Sequence, residues 1–158
     1  MTREEFAAQV TGITRPLYYV ACSLLPVMAD REDALQNSIV RGLTRCESLR
    51  DETKLRPWIT RILINECYTI LRQKKRVYLT ADVPSAQGGE VDFDLRDAVG
   101  ALPEKKRIAL TLHLEGYATK EIAQILRVPE GTVKTRLRDA KQLLRKSLGE
   151  NNIEEVLA

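Results

Sequence analysis

The chain has 158 residues, 44% of them apolar and 30% charged, which is enough for one modest hydrophobic core or two small ones. Lys and Arg number 25 against 22 Asp and Glu, so the net charge of +3 does not by itself argue for a polyanionic partner. The start, MTREEFAAQV, carries no signal-peptide pattern, and the run LYYVACSLLPVMA is too short to span a bilayer and is interrupted by Ser23 and Pro26, so a cytoplasmic chain without a membrane span is expected.

From Phe6 to Leu25 apolar residues recur at helical intervals, with Pro16 placed to begin a second helix, so two helices or one kinked at Pro16 are expected. Asp30, Glu32 and Asp33 then favour a helix N-terminus, and Leu35, Ile39, Leu43 and Cys46 follow on one face. LRPWITRILINECYTILRQKKR predicts a fourth helix, ending in a basic cluster that suits the negative end of the helix dipole. Periodicity then stops: residues 78–93 bring Pro84, Ser85, Gly88, Gly89 and three acids, the composition of a flexible linker. Beyond it, breaks at Leu102–Pro103, Glu115–Gly116 and Arg127–Gly131 leave four short helices, the last two spaced as a helix-turn-helix. The expected fold is all-α: an N-terminal module over 1–77, the linker, a C-terminal module over 94–148 and an acidic tail over 149–158.

Charge follows the same division. Residues 1–78 hold 13 cations and 9 acids and residues 94–148 hold 12 and 7, while the linker and the tail are each at −3. Two basic blocks separated by an acidic strip suit two modules that each approach a polyanion, and also suit a segregation of solvated charge. Cys22, Cys46 and Cys67 are odd in number and widely spaced, without a CxxC pair or a histidine cluster, and read as buried thiols in a reducing compartment rather than as metal ligands. His113 is the lone histidine and has no nucleophile at telling spacing, and no phosphate-cradling glycine loop is present, so no enzyme, metal or cofactor is expected.

Two helical faces bear on function. At 100° per residue, Val133, Leu137, Ala140, Leu144 and Leu148 form the core stripe of the last helix. Lys134, Arg138, Lys141 and Arg145 line one flank, Thr135 stands near its outer edge, and Arg136 lies on the opposite flank. Like charges along one flank weaken an isolated helix, and a polyanion would offset that cost. The turn at Arg127–Gly131 favours DNA over a merely solvated basic face, because a recognition helix presents its N-terminal end to the major groove. On the fourth helix Ile59, Ile62, Leu63, Cys67 and Ile70 point broadly inward. Arg61, Asn65, Tyr68 and Arg72 form another stripe with Trp58 at its border. Such residues offer stacking faces, amide edges and phosphate partners to unstacked bases; a core-edge tryptophan beside a polar face is the plain alternative.

At this point the chain resembles the extracytoplasmic-function sigma factors of bacterial RNA polymerase over nearly its whole length. ALPEKKRIALTLHLEGYATKEIAQILRVPEGTVKTRLRDAKQLL is similar to the −35-reading part of that family, DREDALQNSIVRGL to the segment that docks on the polymerase clamp, and RPWITRILINECYTILRQKKR to the one that melts and reads the −10 element. The sequence departs from the family pattern at Ala118, Arg127 and Asp139, and at Asn37, Leu43, Thr69 and the PVMA turn. The resemblance implies that Asp33 and Gln36 engage the clamp. It implies that Trp58, Arg61, Asn65 and Arg72 meet the −10 strand, and that Lys134, Thr135, Arg136, Arg138 and Lys141 meet the −35 duplex. Core RNA polymerase and promoter DNA are then the partners, with an anti-sigma factor as a further one, and the acidic linker threads through the polymerase. The rival expectation is a two-domain repressor that grips an operator without polymerase.

Overall fold

The computed structural model describes residues 1–78 and 93–149. Eight α-helices run in the order α1 (Arg3–Thr11), α2 (Thr14–Leu24), α3 (Met28–Arg45), α4 (Leu55–Tyr78), α5 (Phe93–Gly100), α6 (Glu104–Leu114), α7 (Thr119–Leu126) and α8 (Glu130–Leu148), with single 3-10 turns at Cys46–Ser48 and Glu52–Lys54 and no strand among the described residues. The chain divides into two compact units, one within residues 1–86 and one within 87–158. Helix α4 runs one residue into the expected linker and α5 begins on the last residue of it; the acidic stretch between them, and the tail beyond Gly149, lie outside the described residues.

In the first unit, α1 begins earlier than its apolar spacing suggests, because Thr2 and Glu5 form a capping box: the Glu5 N–H donates to Thr2 Oγ1 at 3.2 Å and the Thr2 N–H to Glu5 Oε2 at 2.9 Å. The Thr2 backbone hydrogen bond holds the Glu5 carboxyl below its usual range. The chain breaks at Gly12–Ile13, and Pro16 falls in the first turn of α2, where a missing N–H costs nothing. Buried Arg31 closes the turn into α3, its Nε donating to the Leu25 carbonyl at 2.6 Å. Helix α3 therefore starts at Met28, ahead of the acidic cluster.

Two ion pairs hold α3 antiparallel to α4: Lys74 with Asp30, and Arg41 Nε with Glu66 Oε1 at 2.5 Å. Each carboxylate is nearly buried, so removing either cation would strand a desolvated charge. The face that α3 buries differs from the expected one by about a quarter-turn. Ala34, Ser38 and Gly42 are buried, whereas Leu35, Ile39 and Leu43 are half-buried. The reason is distance of approach. A Cβ at Gly42 would sit 2.5 Å from the Phe6 Cζ and 2.8 Å from the Ile59 Cδ1, so only glycine lets α1 and α4 close on α3 here. On α4, Ile59, Leu63 and Cys67 are buried as expected and Ile62 and Ile70 are half-buried. Packing against both α2 and α3 widens the covered face to include Thr60, Ile64 and Glu66.

The second unit is built on α6, whose Ile108, Ala109, Leu110 and Leu112 are all buried, and on the core stripe of α8. Val133, Leu137, Ala140 and Leu144 are buried, while Leu148 in the last turn is half-buried. Ile122, Ala123 and Ile125 of α7 join them, while Leu126 is half-buried. Gly116 at φ +92° turns the chain from α6 into α7. The helix-turn-helix turn itself rests on Arg127 in the left-handed region at φ 56°, with the Val128 N–H donating to the Ala123 carbonyl at 3.1 Å. A left-handed non-glycine residue costs about 1–2 kcal/mol. Arg127→Gly is therefore expected to stabilise this unit by about 1 kcal/mol, read as slower hydrogen exchange across α7 and α8 in the full chain. Ala118 supplies only half of a capping box to α7, since its N–H donates to Glu121 Oε1 at 3.1 Å while its methyl accepts nothing.

Candidate nucleic-acid and polymerase interfaces

Helix α8 begins at Pro129, which caps with its carbonyl and offers no side-chain acceptor, so the N–H groups of the first turn keep their outward electropositive character. Along the flank that follows, Lys134, Arg138 and Arg145 are exposed and Lys141 is half-buried. The side chains of Lys134 and Arg138 are each 68% exposed, with only loose partners: Glu130 at 4.0 Å from Lys134 and Asp139 at 3.7 Å from Arg138. Such pairs contribute little to stability and leave both cations able to meet phosphate. The Thr135 hydroxyl donates to the Gly131 carbonyl at 3.1 Å, and half-buried Arg136 lies on the far flank. The expected −35 residues thus occupy both sides of the exposed ridge of one helix, as a helix entering a groove requires. His113 of α6 lies beside Lys141; its partial burial, then the lysine charge, lower its pKa, so near neutrality it adds no cation to this surface.

On α4, Trp58 and Arg61 are half-buried, and Asn65 and Arg72 are exposed. Arg72 donates to the Thr69 hydroxyl at 3.3 Å, and that hydroxyl donates to the Asn65 carbonyl at 2.9 Å, so the Asn65 amide is not consumed by the chain of bonds beside it. These residues share the ridge opposite Ile59, Leu63 and Cys67. Lys74, in the basic cluster, pairs with Asp30 and so serves the fold. Burial, then neighbouring Glu66, push the Cys67 thiol up to about 12, which keeps it protonated and inert. Cys46 is buried like Cys67, but Cys22 is only half-buried.

Asp33 and Gln36 are exposed on α3. Val40, seven residues after Asp33 and 63% exposed, lies on the same face and was missed by the sequence reading. An apolar residue at an i, i+3, i+7 register with two polar ones was the available signal. Among the described residues no helix is long and apolar enough to cross a membrane.

Two helical units, the second bearing a cationic helix-turn-helix, define the DNA-binding class of protein. Residues 10–77 match the Sigma-70 region 2 family and residues 92–144 the Sigma-70, region 4 family. The chain is 29% identical to RNA polymerase sigma factor SigV of Bacillus subtilis over 91% of each chain. It is 31% identical to the ECF RNA polymerase sigma factor SigM of Mycobacterium tuberculosis over 85% of this chain and 72% of that one. In fold it is similar to the sigma factor RpoE of Bartonella quintana, solved with the anti-sigma factor NepR, at a TM-score of 0.80 and 24% identity over 94% of this chain and 99% of that one. It is also similar to CnrH, solved with the cytosolic domain of CnrY, at a TM-score of 0.67 and 20% identity, over 92% and 88% of the two chains. The chain belongs to the extracytoplasmic-function group of the sigma-70 family.

Proposed function

We propose that this protein binds core RNA polymerase and directs promoter-specific transcription initiation, with α8 reading the −35 duplex and α4 the separated −10 strand. The observation that carries the reading is the pairing of a region 2 match with a region 4 match, each ending in an exposed ridge of the residue types its task needs. A repressor acting alone would need only the second. Lys134, Thr135, Arg136, Arg138 and Lys141 position the duplex through phosphates and base edges. Trp58, Arg61, Asn65 and Arg72 stack on unpaired bases and hold their backbone, and Asp33 and Gln36, with Val40 about one turn further along the same face, engage the polymerase.

Energetics explains why the polymerase is needed. Unstacking one base costs a few kcal/mol and one stacking contact returns about 1–3 kcal/mol, so α4 alone barely breaks even. The work therefore belongs in the cytoplasm, where the polymerase is, and the acidic residues Asp82, Glu90 and Asp92 between the units favour a cationic channel over DNA. The anti-sigma factor NepR bound to one of the two similar folds supports a regulatory partner of that class here.

Run-off transcription with purified core polymerase across a promoter library tests the assignment. Asn65→Ala is expected to lower −10-dependent initiation about ten-fold, the worth of one specific amide contact, while leaving the melting temperature unchanged because the side chain is exposed. Full activity of this variant at every promoter removes Asn65 from the site.

A further inference from the structure

We infer that Phe6 is a positioning residue for Trp58, which makes α1 part of the strand-separating surface. This rests on the assignment of Trp58 to the −10 strand made above. Phe6 is fully buried, and its ring centroid lies 6.3 Å from that of Trp58 with the planes at 89°, the edge-to-face arrangement that aromatic pairs favour.

The Phe6 ring is itself confined. Behind it the α3 backbone comes close at Gly42, where even a methyl group would fall 2.5 Å from the Phe6 Cζ. Helix α1 is held at its start by the Thr2–Glu5 capping box and by the Met1 ammonium, which donates to the Leu49 carbonyl at 3.2 Å. Trp58 is only half-buried and, unlike the core residues around it, has solvent on one side. A half-exposed indole would otherwise sample several rotamers. Ordering it before a base arrives removes a conformational loss from the step in which the strand is captured. A ring wedged between the α3 backbone and the base of α4 does this without itself touching DNA.

Phe6→Leu keeps an apolar side chain but removes the ring edge, and Val10→Ala perturbs the same helix at another buried position. In holoenzyme, Phe6→Leu is expected to slow initiation about five-fold on a fully paired promoter, the equivalent of one edge-to-face contact. On a template whose −10 region is already unpaired it should stay within about two-fold of the parent, because strand capture no longer competes with base pairing. Trp58 is the only tryptophan, so acrylamide quenching of its fluorescence reports its ordering directly and should rise in Phe6→Leu. Val10→Ala should leave both the quenching and the ratio between templates at the parental value. Equal losses on paired and unpaired templates, or unchanged quenching, would overturn the inference. Trp58→Ala in the same assay separates the two layers: normal activity on paired DNA would sink the −10 assignment, whereas a defect there beside normal Phe6→Leu would sink only the positioning role.

Discussion

Replacing Lys134 and Arg138 together by alanine is expected to weaken holoenzyme binding at −35-dependent promoters by about thirty-fold or more, taking the low end of 1–3 kcal/mol per specific contact for each residue. The log–log dependence of affinity on salt should flatten by about 1.8, since each phosphate contact on duplex DNA contributes about 0.9 to the slope. The folded unit should hardly notice. Both side chains are 68% exposed, and their carboxylate neighbours stand at 4.0 and 3.7 Å, too far and too wet to hold much stability. A salt titration of promoter binding alongside a thermal melt reads both quantities. An unaltered slope would mean that α8 does not carry the −35 contacts, and the helix-turn-helix would then need another explanation.

Gly42→Ala is expected to destabilise the first unit by about 1–3 kcal/mol, although alanine is the better helix former. Propensity alone would favour the change by about 1 kcal/mol. Packing reverses the sign, because the new methyl would meet the Phe6 ring at 2.5 Å and Ile59 at 2.8 Å, and both of those side chains are fully buried. Gly131→Ala, in α8 of the second unit, is the open-space comparison, since a Cβ there meets nothing within 4 Å; it should be neutral or mildly stabilising, read by hydrogen exchange across α8. Denaturant unfolding followed by Trp58 fluorescence reports the first unit without averaging over the second, which matters because a chain of two units need not unfold in a single step. A midpoint for Gly42→Ala at or above that of the parent would show that α1 and α4 can yield around α3.

The residues proposed to read DNA were legible because an exposed ridge is defined by what the core leaves out. Once Val133, Leu137, Ala140 and Leu144 are assigned inward, the 100° period places Lys134 and Arg138 outward with no knowledge of neighbours. The same logic held on α4, where Asn65 and Arg72 stand exposed opposite Ile59 and Leu63. The breaks at Gly116 and Arg127 were legible too, since local backbone chemistry, not packing, sets them.

Helix α3 was misjudged for the opposite reason. Its large apolar side chains Leu35, Ile39 and Leu43 looked like the core face, but a helix crossed by α1, α2 and α4 needs small residues where backbones approach, and Ala34, Ser38 and Gly42 took that place. Hydrophobicity ranks a residue by its own transfer free energy and says nothing about how near a second helix must come. The pairings of the nearly buried carboxylates, Asp30 with Lys74 and Glu66 with Arg41, 44 and 25 residues apart in the chain, were hidden likewise, as was the meeting of Phe6 with Trp58. By itself the sequence determined the helices, their turns and the charge that faces outward, because these depend on periodicity and local backbone preference. Only the tertiary structure decided which side of α3 is inside, which cations serve the fold, and what steadies the one tryptophan, because those depend on distances between segments remote in sequence.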